Sequence, residues 1–173
     1  MNLVPGSPTW LLALLFAAII AAAVEDFVRL RISNVTCLVV LVTALIAMAL
    51  QGFSLDLWQN AAVFAVLLAA GTPLFASGKM GGGDVKLLAC LGLWVNISAG
   101  VWLLATSLIA GGVLALIYIA VRHWRSARSG EKYKSKGIPY GVAIAAGASL
   151  VFAGQLGLFK PDRPNPLEVR SLG

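Results

Sequence analysis

Six apolar runs, at residues 10–24, 35–50, 57–76, 85–95, 101–121 and 138–159, follow one another with only short polar connections between them. Crossing a bilayer takes about 20 mostly apolar residues, because an α-helix rises 1.5 Å per residue through a hydrocarbon core of about 30 Å. The spacing therefore predicts an all-α, polytopic membrane protein of about six transmembrane helices. With 60% apolar and 12% charged residues, against roughly 45–50% and 25% in soluble domains, almost nothing is left for a soluble domain. One transmembrane domain is expected over residues 1–159, followed by an extended tail over 160–173 that carries Pro161, Pro164 and Pro166. Whatever chemistry the chain performs must sit in the helices or their short loops.

Local signals refine this reading. The first run lacks the basic flank and small-residue cleavage site of a removable signal peptide, so it is expected to stay as a span. Gly71-Thr72-Pro73 is a kink signal in the third run. The fourth run covers only about half the hydrocarbon thickness and is expected to tilt or to start below the surface. A tight turn at Asn96, Ser98 and Gly100 leads into the fifth run, and a charged loop over 122–136 precedes the sixth.

The net charge of +6 is a topology signal rather than a nucleic-acid footprint. Six spans place Arg29, Arg31, Lys79, Lys86 and the six basic residues between Arg122 and Lys136 on one side, and leave Lys160, Arg163 and Arg170 on the other. The positive-inside bias then puts the N-terminus outside. The basic loop suits anionic lipids. Cys37 and Cys90 lie in apolar runs without metal-ligand spacing and are read as packing residues. His123 is read as a solvated interface residue, and Trp10, Trp58, Trp94, Trp102 and Trp124 as an interfacial belt. No metal site and no cofactor is expected.

One stretch stands apart. Gly81, Gly82 and Gly83 remove every side chain just before Asp84, which would let a second backbone approach that carboxylate closely. A carboxylate at the edge of hydrocarbon is costly, and such acids are functional candidates by default. Asp26, at the end of the first run, lies on the same predicted face and is its candidate partner. Glu25 is read as an ordinary interface charge, Lys86 as a membrane anchor that also favours the charge on Asp84, and Asn34 either as an orienting residue or as a cap for the second helix. Asp84 itself is also a natural helix N-cap.

Together, Asp26-Phe-Val-Arg-Leu-Arg-Ile-Ser-Asn34 and Gly81-Gly-Gly-Asp84-Val-Lys86 resemble the type IV prepilin peptidases, membrane aspartyl proteases with a G-x-G-D motif, and in particular their short Flp or tight-adherence type. Asp26, Ile32 and Asn34 match the family's first aspartate and its following Ile-Pro-Asn, with Ser33 where the family has proline. Gly81, Gly83 and Asp84 match G-x-G-D, and Ile138-Pro139-Tyr140-Gly141 is similar to the family's C-terminal segment. The resemblance implies an aspartic endopeptidase of the bacterial inner membrane that faces the cytoplasm. It also implies Asp26 and Asp84 as a catalytic pair sharing a proton, prepilins as substrates and pilus assembly machinery as a further partner. A small transporter or ion pathway using the same acids is the alternative, although transporter acids sit near the midplane and no internal repeat is evident. A magnesium-dependent lipid transferase is disfavoured by having only seven acids in all.

Overall fold

Residues 1–129 and 139–158 are described by a computed structural model. Among them a short 3-10 turn at Val4–Gly6 precedes six helices: α1 (Thr9–Arg29), α2 (Asn34–Gln51), α3 (Leu57–Ala76), α4 (Gly82–Gly92), α5 (Ile97–Ser129) and α6 (Tyr140–Gln155). Four of them, α1, α2, α3 and α5, are long and apolar enough to cross a membrane. The readings for the basic segment 130–138 and for the tail from residue 159 lie outside the described residues.

Short connections make neighbouring helices antiparallel. The C-terminal ends of α1 and α3 therefore gather with the N-terminal ends of α2, α4 and α6, and both candidate acids lie at that end of the bundle.

The short helix α4 forms the centre. It packs against α2, α3 and α6, and Asp84, Val85 and the run Leu87 to Gly92 are buried. A helix that is apolar on every side belongs inside protein rather than against lipid, so its rise of about 16 Å is not a failed span. It begins at Gly82, three residues before the apolar run does, because glycines are invisible to a hydropathy reading.

Two further boundaries differ from expectation. Helix α5 continues through Val121 to Ser129, so the first part of the expected charged loop is helix. At 33 residues it is about 50 Å long, more than a bilayer needs. The tight turn at 96–100 is instead the start of α5, where the Asn96 side chain accepts the Ala99 N–H at 2.9 Å. Pro73 lies inside α3, which continues to Ala76.

The opposite end of the bundle is closed by the chain's first residues. Leu3 and Val4 are fully buried, Leu3 N–H donates to the Trp94 carbonyl at 3.0 Å, and Gln51 Nε2 donates to the Leu3 carbonyl at 2.8 Å. The buried Asn60 Nδ2 donates to the carbonyls of Met1 and Leu93. Trp94 corrects the expected interfacial belt: it is fully buried against Phe152, with its indole N–H directed at the Val40 carbonyl. Trp10, Trp58, Trp102 and Trp124 are exposed, and Cys37 and Cys90 are free and buried.

Candidate active site

Asp26 occupies the last turn of α1 and is buried. Its Oδ2 accepts the backbone N–H groups of Gly141 at 2.6 Å and Val142 at 3.3 Å. The reason lies in α6. Its N-cap is Pro139, which offers no capping side chain, so the first amides of that helix lack partners of their own. A carboxylate arriving from α1 satisfies them and meets the positive end of the α6 dipole.

The contact requires Gly141 to be glycine. A Cβ there would lie 2.9 Å from Asp26 Cβ, 3.0 Å from Asp26 Cγ and 2.7 Å from Ile32 Cδ1.

Asp84 is in the first turn of α4, with Gly81 as the N-cap. It is therefore not itself the cap. It reaches back so that Oδ2 accepts the Gly81 N–H at 3.2 Å, half of a capping box, since glycine has no side chain to return the bond. Its other oxygen, Oδ1, is buried and accepts no hydrogen bond among the described residues. Native proteins seldom leave such an atom unpaired, so it is a place for a water or a substrate group to bind. Asp26 and Asp84, 58 positions apart in sequence, are both buried at this end of the bundle.

Ile32 holds these elements together. A Cβ on Gly83 would lie 2.8 Å from the Ile32 carbonyl and 2.9 Å from its Cβ, so Ile32 is wedged between the first turns of α4 and α6. The space beside Gly83 holds Ile32 and that beside Gly82 holds the Phe75 ring, so at these two positions glycine makes room for the protein's own side chains, and Gly81 is the exposed member of the three. Cys37 Sγ also lies 3.7 Å from the Gly83 carbonyl.

Neighbouring side chains set the turn after Asp26. Glu25 is more than an interface charge: its Oε2 accepts the Ser33 N–H at 2.8 Å and the Thr36 hydroxyl at 3.0 Å. Ser33 caps α2 through its hydroxyl, which accepts the Thr36 N–H at 3.1 Å. A proline at 33 could make neither bond, so serine and Glu25 together stabilise this turn by other means. Ser33→Ala keeps the backbone bond and loses the cap. It is expected to cost about 1 kcal/mol, read as a thermal midpoint lowered by a few degrees, with any catalytic activity changed less than twofold.

Lys86 Nζ donates to Asn34 Oδ1 at 2.9 Å, which ties α2 to α4, and the cap of α2 is Ser33 rather than Asn34. Among the described residues no three His, Cys, Asp or Glu side chains are grouped as metal ligands.

Sequence reasoning selected Asp26 and Asp84 but gave no role to Gly141, Val142 or the Ile32 wedge. The available signal was Pro139-Tyr140-Gly141, a helix start without a capping side chain and with a glycine in its first turn.

No curated protein and no solved structure matches this chain. The sequence model of the type IV leader peptidase family matches residues 13–118, more than half of the chain and a span that holds both acids. The chain belongs to the type IV leader peptidase family.

Proposed function

We propose that the protein is a membrane aspartic endopeptidase that removes the leader from type IV or Flp prepilins, with Asp26 and Asp84 as its catalytic pair. The observation that carries this reading is that two buried carboxyls from distant segments lie at one end of an apolar bundle, on either side of Ile32, which packs against both Gly83 and Gly141. Among the described residues neither carboxyl is engaged in an ion pair, and one oxygen of Asp84 has no hydrogen-bond partner.

Two carboxyls in a low-dielectric site do not both ionise cheaply, so the pair holds one proton between them. The ionised member takes a proton from water as its oxygen attacks the scissile carbonyl carbon. The protonated member gives its proton to the carbonyl oxygen. As the tetrahedral intermediate collapses, the C–N bond breaks, the leaving amine takes up a proton, and one proton again lies between the two acids. The chemistry requires no covalent intermediate.

The basic residues Arg29, Arg31, Lys79 and Lys86 lie at or near the acid-bearing end, which supports placing that end at the cytoplasmic face. A prepilin's cut site, between a short basic leader and an apolar helix, reaches the membrane at the same level. The basic residues beyond α5 are proposed to contact anionic lipid.

The test is purified protein in lipid vesicles with a prepilin, read as a size shift and by the new N-terminus of the product. Cleavage at the leader junction, undiminished by EDTA, is expected. An intact precursor alongside acid-dependent proton or cation flux would overturn the reading in favour of transport.

A further inference from the structure

Two apolar cavities open along a single seam between α3 and α5. One, of about 340 Å³, is bordered by Leu74, Lys79, Met80, Ser107, Gly112 and Tyr140. The other, of about 200 Å³, is bordered by Val63, Val66, Leu67, Ile97, Gly100 and Val101. Leu104 touches both. The seam exists because α5 packs chiefly on α6 and α3 chiefly on α4, so the two helices meet only sparsely.

The α5 residues bordering it fall at 97, 100, 101, 104, 107, 108, 111, 112 and 115, which is one face of a helix. From Ile97 to Ala115 that face runs about 27 Å, close to the full hydrocarbon thickness of about 30 Å.

We propose that this seam seats the apolar transmembrane helix of the peptide substrate and delivers the adjoining cut site to the two acids. The inference rests on the peptidase reading above.

Three observations select a spanning helix over a lipid tail. A single acyl chain covers one leaflet, whereas the seam runs through both. Gly111, Gly112 and Ala115 line the half nearest the acids, and small residues let two helix backbones approach closely. A Cβ on Gly112 would meet nothing within 4 Å.

The seam also ends where the chemistry is. Met80 precedes Gly81, the donor to Asp84, and Tyr140 precedes Gly141, the donor to Asp26.

The test uses the full chain in vesicles with two substrates: a prepilin with its complete apolar helix, and a soluble peptide that ends a few residues past the cut. Gly112→Leu fills the seam and is expected to slow prepilin cleavage at least tenfold while peptide cleavage stays within twofold. Prepilin cleavage at the wild-type rate overturns the proposal, and if a bound lipid is displaced at the same time the seam belongs to that lipid.

Should Gly112→Leu lose both substrates, disulfide cross-linking in the Asp84→Asn background decides. A cysteine at Gly112 is expected to trap a cysteine-bearing prepilin helix, and one at Val113, exposed on the opposite face, is not. Equal trapping at both positions overturns the seam. If wild-type protein cleaves neither substrate, the peptidase reading itself fails, whereas wild-type cleavage with an indifferent Gly112→Leu rejects the seam alone.

Discussion

Asp84→Asn is expected to lower prepilin cleavage by about 10³- to 10⁴-fold, at the upper end of what positioned acid–base groups contribute, while leaving the bundle folded. Asparagine has the same shape, and its carbonyl oxygen can still accept the Gly81 N–H that Asp84 Oδ2 takes at 3.2 Å. What it loses is the ability to give up or take on a carboxyl proton. The structural and chemical roles of Asp84 are therefore separable at this one atom. Single-turnover cleavage in vesicles, with a thermal midpoint measured on the same preparation, checks both halves. A midpoint within about two degrees of wild type together with collapsed cleavage supports the chemical role. Cleavage within tenfold of wild type would leave Asp84 as no more than a first-turn residue of α4.

Gly141→Ala is expected to damage the site from its other side. The added methyl would press on Asp26 Cβ, Asp26 Cγ and Ile32 Cδ1 at 2.7–3.0 Å. Those neighbours are buried and must shift, an overpacking cost of about 1–3 kcal/mol. Displacing the Asp26 carboxylate by a fraction of an ångström to an ångström should slow cleavage by about 10²-fold.

Combining it with Ile32→Val separates the two effects, because valine lacks the Cδ1 atom that the new methyl meets first. The double variant is expected to lose less stability than the sum of the single variants. Its cleavage is expected to stay low, because the contacts with Asp26 remain. Full recovery of activity in the double variant would show that Gly141 serves packing alone and that its bond to Asp26 is incidental.

How much of this was legible in the sequence follows from what hydropathy and spacing can encode. The helices were, since each is an apolar run between polar residues, and the two acids were, since an aspartate bordering such a run is conspicuous. Short-range patterning could not report contacts made across 115 positions, such as Gly141 with Asp26. Nor could it show that α4 is sheathed by α2, α3 and α6, which turns a run too short to span into the centre of the bundle.

Glycine is ambiguous in a specific way. The triplet before Asp84 reads as open space, yet Gly83 is small because Ile32 occupies the place where its side chain would be. Trp94 misled: it sits near a helix end, as belt tryptophans do, but the N-terminal residues fold over that end and bury it. Glu25 looked redundant beside Asp26, and its bonds to Ser33 and Thr36 appear only once α1 and α2 are folded against each other.

The claim on which the account turns is that Asp26 and Asp84 work as one unit. Single-turnover cleavage of a prepilin by wild type, Asp26→Asn, Asp84→Asn and the double variant tests it most directly, because residues that act as a unit lose their effect once rather than twice. The account predicts that each single variant is as impaired as the double. Losses that multiply, or one single variant cleaving at the wild-type rate, would contradict it.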